Sequence, residues 1–343
     1  MEPDAPRARL AAIAAHLPSR YRTMEATRAR IAASGGAYVP PPGLLEELTG
    51  VRGVHERDDG VQASDLAVAA AVKALKAAGT QIGEVDLLLF AATSQDLIEP
   101  ATAHIVAAKL GATCPVFDIK NACNSVLNAI ETANALIATR RYRTVLIACG
   151  ESITDATRWC VPDHEALLRA MPGYTVSDAG AALVLTAAPA DDDGPGVLTM
   201  AFGSDSSAWR ACTVAGGGSL NGRSTDDEHT TLRLNGDLLR NALDDMPFMV
   251  GTTHQQELEA IRRSAFIAFH QISMPQFHDS SSKFRLPADR CMATVADHGN
   301  CAAASLPLQI VKAQETGRVE PGDTVAMIGL ASGTSIGLAL IRL

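Results

Sequence analysis

Aromatic side chains are scarce in this chain: they make up 4% of its 343 residues, against 47% hydrophobic residues in all. Ala, Val, Leu and Gly must therefore carry the burial, which suits tightly packed α/β layers in which helices approach a sheet closely. Basic residues fall short of acidic ones, 29 to 38, for a net charge of -9. That balance argues against non-specific nucleic-acid binding, and an anionic partner would need a local basic patch. No stretch approaches the roughly 18 uninterrupted apolar residues of a membrane span. The opening MEPDAPRARL has no charged region followed by an apolar run, so no signal peptide is expected. The seven cysteines are scattered, without a CxxC pair or a Cys/His cluster of metal spacing. The expectation is a cytoplasmic protein with reduced thiols, no metal and no cofactor.

What is present is length and order. A chain of 343 residues is long for one simple core, so two domains or a duplicated core are expected. Residues 64–78 read as a helix with Ser64 or Asp65 near its N-cap. VDLLLFAAT (85–93) reads as a buried parallel strand. Then follow a helix closed by Gly111, the strand PVFDI, a helix over 123–139, and strands at 143–152 and 180–187. The second half repeats the order: SAFIAFHQ, then CMATVADHGNCAAASLPLQIVKA, then DTVAMIGLASG and GLALIRL. From Phe90 to Cys123 is 33 positions, and from Phe269 to Asn300 is 31. A duplicated α/β core explains this, with halves at 1–187 and 188–343 joined through the acidic stretch ADDDGPG.

Cys123 follows the strand VFDI through a short turn and opens an Ala-rich helix. A helix N-terminus favours the thiolate, the reactive form, and lowers the thiol pKa from about 8.5. A small buried residue packing the helix start is the alternative. His270 ends the corresponding strand of the second half, and Asn300 lies at the corresponding strand–helix junction. In a two-fold related core, equivalent strand ends face a common centre, so Cys123, His270 and Asn300 are expected to converge. His298 and Asp297, beside Asn300, leave a hydrolase-like Cys–His–Asp arrangement as a further alternative.

These segments resemble the thiolase superfamily, most closely its beta-ketoacyl-acyl carrier protein synthase III group. FDIKNACNS resembles the nucleophile segment, HQ at 270–271 the His segment, and HGNCAAASLPL the Asn segment. SDAGAALVL resembles the mid-chain turn and GLASGTSIGLALIRL the Gly-rich last turn and strand. The resemblance implies a five-layer αβαβα fold with two pseudo-duplicated halves, working as a homodimer. It implies that Cys123 takes an acyl group from a thioester on acyl carrier protein or coenzyme A. The backbone N–H groups of Cys123 and Ser332 would form an oxyanion hole, with Ser332 in place of the usual Gly. His270 and Asn300 would stabilise the enolate of a second thioester, giving Claisen condensation.

Departures from the group narrow the reading. Glu99, in DLIEPATA, stands where the group carries apolar residues that enter the partner subunit's acyl pocket. A carboxylate there resembles the branch that joins two acyl thioesters head to head, and related pyrone-forming ketosynthases. In that branch it acts as general base, a role that an apolar pocket favours. A Glu complementing a helix N-terminus is the bland alternative. Leu44 and Leu48 replace the usual coenzyme A contacts. With Trp209 and Gly333 they are the candidate substrate-contacting residues. Two rival functions stand beside condensation: acyl transfer to oxygen or nitrogen, and a non-catalytic partner of another synthase.

Overall fold

The computed structural model describes residues 5–189, 194–222, 225–238 and 255–343. Most of the acidic joint, residues 190–193, lies outside them. Strands β1 (Arg7–His16), β2 (Arg20–Thr23), β3 (Gly53–Glu56), β4 (Leu87–Ala91), β5 (Val116–Ile119), β6 (Thr144–Glu151) and β7 (Ala179–Ala188) come first. β8 (Gly196–Ser204), β9 (Cys212–Thr213), β10 (Arg233–Leu234), β11 (Phe266–Phe269), β12 (Thr324–Ala331) and β13 (Ser335–Arg342) follow. One five-stranded sheet has the order β1-β7-β6-β4-β5, and a four-stranded sheet has the order β11-β12-β13-β8. β4 pairs in parallel with both β5 and β6 and is buried along its whole length, as its unbroken apolar run requires.

The helices Ser125–Ala138 and Ser305–Glu315 each touch strands of both sheets and form the middle layer. The helix Ala63–Ala78 covers β1, β6 and β7, and the helix Gln255–Arg263 lies against β13. The five expected layers are therefore present. Antiparallel β2 and β3, with the helices Met24–Ala33 and Leu44–Thr49, decorate the core, as the weak periodicity of residues 20–60 suggested.

One constant numbering offset relates the halves: β6 to β12, Ala122 to Ala302, and the helix start Ser125 to Ser305. The same offset pairs Cys123 with Ala303. The sequence alignment had paired Cys123 with Asn300, and the structure corrects it: Asn300 lies before the turn that is equivalent to the nucleophile's. The halves differ at one strand, which hid the register. The counterpart of β5 is reduced to a single parallel bridge between Ile267 and Cys291. Beyond it the side-chain amide oxygen of Gln271 accepts the N–H groups of Thr294 and Val295 (3.0 and 3.1 Å) and turns the chain into a short helix, Val295–His298.

Close packing of the outer helix rests on two glycines. The helix buries a stripe of Ala63, Ala67, Ala70, Ala71 and Ala74, starts in a capping box between Gln62 and Asp65, and ends at Gly79 in the left-handed conformation. A Cβ added at Gly150 would lie 1.8 Å from Ala63 O, and one at Gly180 would lie 2.0 Å from Leu66 O. Only bare backbone lets helix and sheet meet at that distance. Gly150→Ala is expected to destabilise the protein by at least ~2 kcal/mol, in the range of overpacked cores. Urea denaturation should show a lower midpoint at unchanged slope.

Candidate active site

A cavity of about 240 Å³ opens where the two middle helices begin. Cys123, His270, Asn300 and Ser332 all line it, among mostly apolar neighbours that include Ile153, Met171, Leu234 and Leu330. Residues from both halves thus meet in one space, as a two-fold core requires. Leu48 lines it too. Leu44, Trp209 and Gly333 do not line the cavity, which corrects their grouping with the substrate contacts. Leu44 packs on a separate apolar cluster with Met24 and Ile31. Trp209 is 40% exposed, with the Arg210 guanidinium over its ring. Gly333, at φ +101°, makes the β12–β13 turn that carries Ser332.

The nucleophile candidate sits on a strained turn. Ala122, just before Cys123, has φ +46°, a region costly for any residue with a Cβ. Asn124 locks the turn from the other side, its Nδ2 donating to Ser335 O (3.2 Å) and Ser335 Oγ (3.0 Å). Burial pushes the Cys123 thiol well above its ordinary pKa, and the negative charge of Glu151 adds to this. That reverses the expectation from helix position: desolvation outweighs the helix N-terminus, and the thiol is the resting form.

His270 is held by its backbone and its neighbours. Its N–H donates to Ile328 O (2.8 Å). Gln309 brackets Phe269, accepting its N–H (3.1 Å) and donating to its carbonyl (3.0 Å). Gln271 also donates to Gln309 Oε1 (3.1 Å). Burial lowers the His270 pKa to about 4, so the ring is neutral at pH 7.

Asn300 is clipped into the first half. Its N–H donates to Thr175 O (2.8 Å), and its carbonyl accepts from Ser177 N (2.9 Å). Gly299 has φ +64°, and a Cβ there would lie 2.6 Å from Thr175 O, which explains the Gly of the Gly-Asn pair. Asn300 Oδ1 accepts the N–H of Ala302 (2.9 Å), and this leaves Nδ2 as the group free to donate into the cavity.

His298 and Asp297 do not line the cavity, which removes the hydrolase-like arrangement. Asp297 pairs with Arg52. His55 Nδ1 lies 2.8 Å from Pro18 O and must donate to it, so His55 Nε2 accepts from His298 Nδ1 at 3.1 Å. The two rings stack and tie the Asn300 turn to β3. Asp178 accepts from Arg57 N, Thr154 N and Thr154 Oγ, a turn-fixing role.

Glu99 lies apart from the cavity, exposed on the loop between β4 and the helix Thr102–Leu110. Both flanks of this loop are pinned. Glu151 accepts the N–H groups of Thr93 and Ser94 on one side, and Asp118 accepts those of Thr102 and Ala103 on the other. Asp96 binds Ser64 between them. The tip leaves Leu97 52% and Ile98 68% exposed, and Phe117 of the edge strand β5 is itself 41% exposed. Sequence reasoning missed Glu151, although a carboxylate ending the apolar strand TVLIACGE was the signal for it.

Solved structures share this architecture end to end. OleA from Xanthomonas campestris with bound cerulenin superposes with a TM-score of 0.86 at 24% identity, covering 99% of this chain and 98% of that one. A Cys-to-Ser variant of the same protein, with bound lauric acid and lauroyl-CoA, matches with a TM-score of 0.86 at 24% identity, covering 98% and 99%. These likenesses show a shared fold over the whole chain. Residues 117–206 match the family described as 3-oxoacyl-[acyl-carrier-protein] synthase III, and residues 259–343 match its C-terminal part. The beta-ketoacyl-[acyl-carrier-protein] synthase III of Rhodospirillum rubrum is 31% identical over 317 residues, covering 87% of this chain and 90% of that one. That of Hyphomonas neptunium is 30% identical over 303 residues, with the same coverage. This chain belongs to the beta-ketoacyl-[acyl-carrier-protein] synthase III family and is an acyl-condensing ketosynthase. Among the described residues, no helix is long and apolar enough to cross a membrane, and no His/Cys/Asp/Glu group is arranged to hold a metal.

The buried neutral His270 sets a pH dependence. Its folded pKa, about 4, lies below the unfolded value of 6.5, so the unfolded chain binds more protons between them. Its contribution is complete above pH 6.5 and is lost as the pH falls towards 4, amounting to about 3 kcal/mol. In urea titrations at pH 7 and 4.5, His270→Asn should lose less stability on acidification than the wild type by a large part of that amount.

Proposed function

We propose that this chain joins two acyl thioesters by Claisen condensation through an acyl-Cys123 intermediate, in a specialised polyketide or fatty-acid-derived pathway. The observation that carries the reading is the convergence of Cys123, His270 and Asn300 in one apolar cavity. In the first step the Cys123 sulfur attacks the thioester carbonyl carbon. The carrier thiol leaves with the cysteine's proton, and the backbone N–H groups of Cys123 and Ser332 hold the transient oxyanion. In the second step an enolate of the other thioester attacks the acyl carbon and expels the Cys123 thiolate, which is then reprotonated. His270 and Asn300 Nδ2 donate hydrogen bonds to the enolate oxygen. A neutral imidazole donates without giving up its proton, and this fits the low pKa of His270.

The source of the enolate turns on Glu99. The pinned loop leaves Leu97, Ile98 and Glu99 exposed, and its far end is bonded to Asp118 of β5, the last strand of its sheet. A second copy of the chain covering that edge would bury the apolar tip and bring Glu99 towards the partner's cavity. A carboxylate placed there would be within reach of the α-proton and could remove it. Glu99 is thus assigned as the general base of a non-decarboxylative condensation in a homodimer. Substrates come as thioesters of acyl carrier protein, as the relatives' names indicate, or of coenzyme A, as with the lauroyl-CoA bound by the OleA variant. Acyl transfer to oxygen or nitrogen fits less well, because it gives the oriented Asn300 amide nothing to do.

Intact-mass measurement after exposure to acyl thioesters tests the first step. A stable adduct is expected on the wild type and none on Cys123→Ala; labelling that survives the substitution would sink the assignment. Asn300→Ala should keep the adduct and lose condensation by about 10²-fold, as for a removed oxyanion donor. Unchanged turnover in that variant would favour transfer to a heteroatom. Glu99→Gln should make no β-keto product from two simple acyl thioesters, and should regain it when a malonyl-type partner supplies the enolate by loss of CO₂.

A further inference from the structure

Glu151 is a buried acid at the junction of the halves for which the proposed chemistry has no use. It is 0% exposed at the end of β6. Its Oε1 accepts the N–H groups of Thr93 (2.8 Å) and Ala303 (3.2 Å). Its Oε2 accepts the N–H (3.1 Å) and the hydroxyl (2.9 Å) of Ser94. Among the described residues no cation pairs with it. Burial raises its pKa, and these donors act against the rise. A carboxylate held this way is solvated by three peptide N–H groups and one hydroxyl, as a bound anion would be.

The duplication shows where this anion sits. Cys123 corresponds to Ala303 and Ser332 to Ser152, so the two N–H groups assigned to the oxyanion hole have counterparts in Ala303 N–H and Ser152 N–H. The first of these donates to Glu151 Oε1 (3.2 Å), and the second to Ser94 Oγ (3.0 Å), which itself donates to Glu151. The fold thus builds the same donor arrangement twice. One copy faces the cavity, and the other is filled from within. We propose that Glu151 is a positioning residue whose carboxylate plugs the second, pseudo-equivalent oxyanion hole and so holds Asn300 in its donating orientation.

The link to Asn300 runs through two consecutive peptide groups. Ala302, with φ +47°, gives its N–H to Asn300 Oδ1 (2.9 Å), and Ala303 gives the next N–H to Glu151 (3.2 Å). Without the carboxylate, nothing anchors Ala303 N–H, and the strained turn at Ala302 is free to relax to an ordinary conformation. Asn300 Oδ1 would then lose its partner, and the amide would rotate. The plug also holds Thr93, which lines the cavity wall. Glu151 makes no hydrogen bond to the N–H groups of Cys123 and Ser332, and its charge opposes rather than assists a thiolate at Cys123. Its loss should therefore separate the two halves of the reaction.

The inference rests on the acyl-Cys123 reading for its first readout and stands apart from it for its second. The first compares Glu151→Gln with wild type in the rate of Cys123 acylation and the rate of condensation. Acylation is expected to fall no more than threefold below wild type, since the lost charge only opposed the Cys123 thiolate, and condensation is expected to be at least tenfold lower. Equal falls in both rates, or no change in either, would overturn the proposal. The second measures melting temperature and condensation of Glu151→Ala with sodium formate, whose carboxylate matches the vacated donors, and with formamide, which matches them poorly. Formate is expected to raise the melting temperature of the variant, leave wild type unmoved, and restore condensation at least fivefold. Equal effects of formate and formamide, or of formate on variant and wild type, would overturn the plug. Failure of both variants to fold would make Glu151 a folding residue only and overturn the positioning role. A wild type without an acyl adduct would sink the Cys123 reading, while formate-dependent melting of Glu151→Ala would still decide whether an anion plugs this hole.

Discussion

Two helices of the middle layer begin at the same place, and the chemistry of the molecule follows from that adjacency. Each is packed between the sheets, so neither can move along its axis without uncovering apolar strands on both sides. The approach is tight enough to need bare backbone: a Cβ at Gly329 would lie 2.0 Å from Asn124 Oδ1. The helix starts then meet with their N–H groups unpaired by the helices themselves. Such donors must find acceptors or stay available for a ligand. The first half leaves its donors beside the nucleophile, and the second half gives one of its own to Glu151. Two identical open holes would compete for the same oxyanion; filling one from β6 makes a single site from a symmetric scaffold.

Asymmetry enters through small departures from the repeat. Where β5 runs as a regular strand in the first half, the second half keeps one bridge and turns early under the pull of Gln271. That early turn creates the loop on which Asn300 sits, and the loop is then stitched to the other half. Thr175 and Ser177 hold its backbone, Arg52 holds Asp297, and His55 holds His298. The amide is therefore fixed by segments far from it in the chain. His270, by contrast, is fixed within its own half by Gln271 and Gln309.

Much of this was legible in the sequence. Continuous apolar runs such as LLLFA and TVLIACG can only be buried strands, and the repeated order of elements revealed the duplication. Cys123, His270 and Asn300 stood out because polar groups recurred at matching strand and helix ends. The exact counterpart of Cys123 did not, because the lost strand shifted the register and nothing in CMATVADHGN marks where pairing stops. Leu44 and Trp209 were misplaced for a related reason: linear alignment gives a position along the chain but no side-chain direction. The thiol pKa was misjudged because helix position is visible in sequence and desolvation is not. Glu151 was visible as an acid ending an apolar strand, yet its partners Thr93, Ser94 and Ala303 come from three separate segments.

The electrostatics of the cavity then set the order of events. At rest the thiol and the imidazole are both neutral, because burial works against each charged form. A preformed thiolate–imidazolium pair would need charge in a space lined mostly by apolar groups, where desolvation costs several kcal/mol per ion. Charge is therefore expected to appear only with the substrate, whose carbonyl carbon takes up the sulfur electrons as the oxyanion forms against backbone N–H groups. Neutral donors cost nothing to desolvate again when the second thioester arrives, so one cavity serves both steps without rearranging its charges. The fixed anion in this region, Glu151, raises the cost of a thiolate nearby, and it is tolerated because four donors already surround it. A site that keeps its one permanent charge in the second hole and its working hole empty is built to stabilise negative charge that is transient.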